Sequence, residues 1–315
     1  SVMEDFILAF SVVFPMFLYM AAGWLIRRAG ILETATFKSL NGMIFKIFIP
    51  IMLFVNIYQS DFTSALNVPL LLYTMAAVFI IYLALCFLVP KFVKTRRDAS
   101  VMVQGIYRSN LVLFGMTIGA SIYPDSDIGV IAAISAFVIP EFNILSVILF
   151  EAFRGEKADI RHAARGIATN PLVIGGVLGI LFSLFRIPLP GLIEDTLAEM
   201  GGMASPLALI CLGGMLSFRS MRGHTKKLAV SVIGRLIVVP VIGLLGGILL
   251  GYRDVELVAL LAAFASPTAV ASNPMAQAMG GNGELAGEIV VATSACCIIT
   301  IFLFVWGLKA AGLIA

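Results

Sequence analysis

Apolar residues run along this chain in stretches of membrane length, joined by short polar links. A helix crosses the hydrocarbon core of a bilayer with about 20 mostly apolar residues. The pattern predicts ten such spans, at roughly 5–27, 36–58, 67–92, 99–122, 127–152, 169–186, 191–218, 226–251, 255–279 and 284–307. One of them is interrupted. The stretch AFASPTAVASNPMAQ, residues 263–277, carries Pro267 and Pro274 together with Ser266, Thr268, Ser272 and Asn273. Each proline removes a backbone donor and crowds the preceding turn. Lipid offers no water to the groups so freed, which places such a break against protein or a cavity.

Composition agrees. Hydrophobic residues make up 60% of the 315 and charged residues 12%, with a mean hydropathy of +1.05. Soluble domains carry roughly 25% charged residues. The chain reads as a polytopic membrane protein, and its first apolar run is long enough to stay as a span rather than be cleaved. Cys86, Cys211, Cys296 and Cys297 lie inside apolar runs, without disulfide or metal spacing. No motif asks for a cofactor, nucleic acid or intramembrane hydrolysis: there is no HExxH and no Ser/His pair within the spans.

The basic residues orient the spans. Arg27 and Arg28 follow span 1; Lys91, Lys94, Arg96 and Arg97 follow span 3. Arg154, Lys157, Arg161 and Arg165 follow span 5, and Arg219, Arg222, Lys226 and Lys227 follow span 7. The opposite loops hold only Arg186 and Arg253, with Lys309 at the C-terminal end. Positive charge marks cytoplasmic loops, so the expectation is a multi-pass protein of the plasma (bacterial inner) membrane with both termini outside. His162 and His224 fall in the basic loops and are expected on the solvated surface.

The chain also repeats itself. VFPMFLYMAAGWL in span 1 matches TNPLVIGGVLGIL in span 6, Pro15 falling on Pro171 and Gly23 on Gly179. Pro50 in span 2 falls on Pro206 in span 7, and AISA at 133–136 on ATSA at 292–295. An odd number of spans per copy inverts the second copy in the membrane, the architecture of secondary transporters. The expected fold is therefore an all-α membrane protein of ten transmembrane helices in two inverted five-helix repeats. Residues 1–152 hold the first, 153–168 a cytoplasmic connecting loop and 169–315 the second.

The same shift lays Ser266 on Ser109, Pro267 on Asn110 and Ser272 on Gly115, making GIYRSNLVLFGMTIGA (105–120) the inverted partner of the interrupted stretch. Two broken helices, 4 and 9, with their breaks facing each other at the midplane would present half-helix N-termini to an anion. Charges within spans are functional candidates. Lys46, Arg108, Glu141 and Arg235 lie deepest in this reading. Glu141 is expected to pair with Lys46 or Arg108, in coupling, charge compensation or helix pinning, and Arg235 to snorkel toward the cytoplasm. Asn41, Asn56 and Asn143 read as interhelical hydrogen bonds.

FKIFIPIMLF in span 2, NPLVIGGVLGILFSLFRIPLP around span 6, SPLALICLGGML in span 7, RLIVVP in span 8 and SPTAVASNPMAQAMGGNGELAGEIVV from span 9 onward resemble the auxin efflux carrier family. Its plant members are the PIN auxin carriers; its bacterial members are permeases for malate, malonate and other organic anions. The resemblance spans the chain. It implies the fold of the bile-acid symporters, with helices 4 and 9 crossed, and homodimers. It gives Asn110 the carboxylate-binding role and Pro267 that of the helix-9 crossover proline. The family has proline before that asparagine, where this chain has Ser109, and this puts the helix-4 break in question. The reading is a carrier for small organic anions (mono- or dicarboxylates, or auxin-like acids) moving by an elevator motion. Asn110 and Thr268 would bind the carboxylate, with Ser109, Ser266 and Ser272 lining the site. Proton and sodium coupling both stay open. The alternatives are a sodium-coupled symporter of the bile-acid type and a non-transporting receptor.

Overall fold

A computed structural model describes residues 2–59, 67–111, 122–123, 129–154, 165, 168–216 and 218–314. Among these the chain is helical, with no strand beyond one isolated bridge. The helices fall on the apolar stretches: α1 (Val2–Arg28), α2 (Thr34–Tyr58), α3 (Val68–Phe92), α4 (Arg96–Tyr107), α5 (Gly129–Arg154) and α6 (Pro171–Leu184). They continue as α7 (Gly191–Met215), α8 (Thr225–Leu249), α9 (Asp254–Ala265), α10 (Ser272–Ala278) and α11 (Gly283–Ala310). Among the described residues α2, α3, α5, α7, α8 and α11 are long and apolar enough to cross a bilayer. This is an all-α, multi-pass membrane protein. The cysteines are free.

The starts of α3, α6 and α11 follow from one residue type. Asn67, Asn170 and Asn282 cap them, each side-chain oxygen accepting from a backbone N–H in the first turn. Small residues set the packing. A Cβ on Gly23 of α1 would lie 1.8 Å from the Ile210 carbonyl oxygen of α7, and one on Gly179 of α6 would lie 3.0 Å from the Phe54 carbonyl oxygen of α2. Backbones approach this closely in membranes only where a side chain is missing. The two contacts are related by one offset of 156 residues (179 − 23, and 210 − 54).

Two helices widen where a sequence cation sits. Residues Ile44–Phe48 of α2 and Gly234–Val238 of α8 form π-helical turns, with Ile49 N–H reaching back to Ile44 O and Val239 N–H to Gly234 O. Pro50 and Pro240 follow directly. A proline ring displaces the carbonyl four residues earlier, and the wider turn absorbs that clash. Lys46 and Arg235 are carried on these turns.

Spans 4 and 9 both unwind. Helix α4 ends at Tyr107 and α9 at Ala265, and the segments that follow run antiparallel to each other. Asn110 N–H donates to Pro267 O at 2.8 Å, Ala269 N–H to Arg108 O at 3.3 Å, and Ser109 faces Thr268 across the bridge. Helix 4 thus breaks at Ser109 without a proline, because the partner segment satisfies its backbone instead. Gly115 and most of 153–168, with His162, lie outside the described residues.

Candidate functional site

Where the segments cross, both half-helices α4 and α9 end in carbonyls with no intrahelical donor. Arg235 supplies the donors. It is fully buried, and its Nη1 donates to Ile106 O and Tyr107 O, each at 2.9 Å, while Nη2 donates to Phe264 O. One guanidinium therefore sits at the negative ends of two helix dipoles. The expectation of snorkelling is overturned: the π turn of α8 aims Arg235 inward, onto the crossover. Thr268 adds a further tie, its hydroxyl donating to Gly105 O at 2.6 Å and its N–H to Thr293 Oγ1 at 3.2 Å.

Beside the crossing lies a cavity of about 30 Å³, lined by Arg108, Ser109, Asn110, Asn143 and Ser205 among others. That is room for about one water. Arg108 is 4% exposed. Its Nη2 donates to Asn143 Oδ1 at 2.7 Å and its Nη1 to Met275 Sδ at 3.1 Å. Among the described residues no carboxylate lies within ion-pair distance of it. Asn110 Nδ2 and Ser109 Oγ are buried and have no partner among the described residues. The site thus presents donors, one of them charged, and lacks acceptors to match. A buried charge is stable only when compensated.

The remaining candidates are dispersed. Ser266 bonds its own helix, Oγ to Ala262 O at 2.5 Å. Pro267 contributes its carbonyl to the pairing of the segments. Ser272 Oγ is buried at the start of α10 without a partner among the described residues, outside the lining of this cavity. Lys46 is exposed on its π turn. Glu141 lines an apolar cavity of about 500 Å³ between α3, α5 and α6, with Oε2 buried and unpartnered among the described residues. The expected pairing of Glu141 with Lys46 or Arg108 is not made. Positions two apart on a helix lie about 200° apart around it, so α5 can turn either Asn143 or Glu141 toward Arg108, not both; Asn143 has the place.

A third cavity, of about 480 Å³, opens among Arg27, Lys38, Arg97, Asn273, Gln277 and Glu288, between α1, α2, α4, α10 and α11. Asn41 of α2 spans its edge, Nδ2 donating to Asn273 Oδ1 at 2.8 Å and Gln277 Oε1 at 2.9 Å. Asn41 and Asn143 are thus interhelical bonds, as expected. Glu288 is 1% exposed and holds His224 Nδ1 at 2.7 Å, so His224 is not a solvated surface ring. Asp98 accepts from Lys227 Nζ at 2.6 Å and Asn282 Nδ2 at 2.7 Å nearby. Glu288 was detectable as an acid inside span 10. Ser205 carries no such mark, since polar side chains that small are common in membrane helices.

The fold has a solved counterpart. The sodium/proton antiporter MjNhaP1 from Methanocaldococcus jannaschii superposes with a TM-score of 0.59 over 96% of this chain and 97% of its own, at 12% identity, which makes the likeness one of fold. A search of curated sequences finds no match. The sequence profile described as "membrane transport protein" matches residues 8–305. That match runs over nearly the whole length, and the chain belongs to the auxin efflux carrier family of membrane transport proteins.

Proposed function

We propose that the protein carries small organic anions, the carboxylate held by Arg108 and Asn110 at the crossover. One observation carries this reading: a buried guanidinium and a buried amide donor share a cavity with no carboxylate in reach among the described residues. An anion supplies the missing acceptors. The arrangement of ten helices in two inverted five-helix repeats is supported by the paired glycine contacts 156 residues apart. Such an arrangement allows the site to face either side in turn.

A cavity of about 30 Å³ is too small for a mono- or dicarboxylate, so the anion enters by a motion that widens it. The cavity of about 480 Å³ beside Arg27, Lys38 and Arg97 is the approach, its cations drawing anions in. An elevator displacement of the crossover past α1, α2 and α7 provides the opening. The basic loops would face the cytoplasm, with both termini outside, in a homodimer in the plasma membrane.

Uptake into proteoliposomes of monocarboxylates, dicarboxylates and indole acids tests the proposal, with pH and sodium varied separately to read the coupling ion. A hydrogen bond to a charged group contributes about 2 kcal/mol, so Asn110→Ala is expected to weaken substrate affinity roughly 30-fold. Unchanged uptake and affinity in Asn110→Ala would place the site elsewhere.

A further inference from the structure

Between α3 and α8 the surface opens into an apolar groove of about 780 Å³, floored by Met102 and Ile106 of the half-helix α4. It follows α3 from Val93 to Ile81, about 18 Å at the rise of a helix. Its walls face outward: Leu88, Val230 and Ile233 are 50%, 55% and 51% exposed. At one end only, Lys226 and Lys227 line it. Lys227 is engaged by Asp98 at 2.6 Å. Lys226 is exposed and has no ion-pair partner among the described residues. Lys91 and Lys94, also exposed, flank Phe92 and Val93 at that same end.

We infer that this groove binds one anionic phospholipid, an acyl chain along α3 and the phosphate against Lys226, with Lys91 and Lys94 close by. A long aliphatic trough with cations at one end has the shape and charge of an amphiphile of opposite sign. Neutral lipid fills the trough as well but gains nothing at the lysines. The site also touches the transport machinery. Gly234 lines the groove, a Cβ there would come within 3.1 Å of Ile106, and the Ile106 carbonyl is one of those that Arg235 holds. A lipid chain packed here braces α4 against α8 behind the crossover. The inference does not depend on the identity of the transported solute.

Native mass spectrometry of the full chain, released from nanodiscs of mixed phosphatidylglycerol and phosphatidylcholine, reads the occupancy. A juxtamembrane lysine favours anionic lipid roughly fivefold. The wild type is expected to retain phosphatidylglycerol over phosphatidylcholine by at least that factor. Lys226→Gln should lose most of the preference while melting like the wild type in pure phosphatidylcholine. Ala84→Trp, which fills the trough from an exposed position of α3, should lose retention of both lipids. Equal retention of the two lipids by the wild type overturns the proposal, as does an undiminished preference in Lys226→Gln. Displacement of the lipid by free glycerol phosphate would assign the lysines to a soluble phosphate instead, and conversion of a dimer to a monomer by Ala84→Trp would give the groove to a second copy.

Discussion

The carbonyls of Ile106, Tyr107 and Phe264 end two half-helices against a single guanidinium. Arg235 and Arg108 are the same side chain at similar depth, yet they face opposite requirements. Arg235 is surrounded by acceptors and stabilises helix ends; Arg108 meets one amide oxygen and one thioether. Their substitutions should separate accordingly. In Arg235→Gln an amide replaces the fork and leaves buried carbonyls without donors, at a cost of about 3 kcal/mol. Its melting midpoint, followed by tryptophan fluorescence in detergent, should fall well below the wild type, with Arg235→Lys between them because an ammonium keeps the charge but not the geometry. Arg108→Gln is expected to melt near the wild type and to bind the anion roughly 30-fold more weakly. If Arg235→Gln melts normally while Arg108→Gln unfolds, the two roles have been exchanged.

At the scale of elements, the packing of α1 on α7 tests the role of small residues. A side chain at Gly23 meets backbone, which cannot move aside as a flexible side chain would. Gly23→Val is expected to destabilise by about 3 kcal/mol and to lose the monodisperse peak in size-exclusion chromatography. Gly202→Ala, with open space around it, should elute unchanged. The apolar stretches, their breaks at 266–271 and the pairing of those breaks with 108–110 were legible because they are carried by hydrophobic runs, prolines and an internal offset. The direction of Arg235 was not. Its depth in span 8 follows from counting, but the π turn ahead of Pro240 shifts the helix phase, and its acceptors come from 29 and 129 residues away. The same limit hid the choice between Glu141 and Asn143 on α5, which is made by packing. The break at Ser109 has no mark in its own segment for the opposite reason: no proline stands there, and the tie is made from the other segment by Thr268.

For the whole molecule, alternation between two faces requires that some contact exist in one state and not in the other. The bridge from Asn41 on α2 to Asn273 and Gln277 on α10 is such a contact, since it crosses the edge of the larger cavity between helices that an elevator motion would separate. Interhelical hydrogen bonds in membranes contribute about 1 kcal/mol. Removing the bridge with Asn41→Ala should therefore shift a two-state equilibrium roughly fivefold away from the state seen here. Glu284 lines that cavity, is exposed and makes no part of the bridge. With Cys86, Cys211, Cys296 and Cys297 replaced, Glu284→Cys reports how often the cavity is open. A membrane-impermeant maleimide should label it from the face bearing the basic loops and not from the other. In the Asn41→Ala background the labelling rate should drop about fivefold, and a transported anion should change it again. An unchanged rate would mean that α2 and α10 stay together throughout the cycle. The motion would then have to divide the molecule along another seam, and the cavity beside Arg27 and Arg97 would not be the gated approach to Arg108.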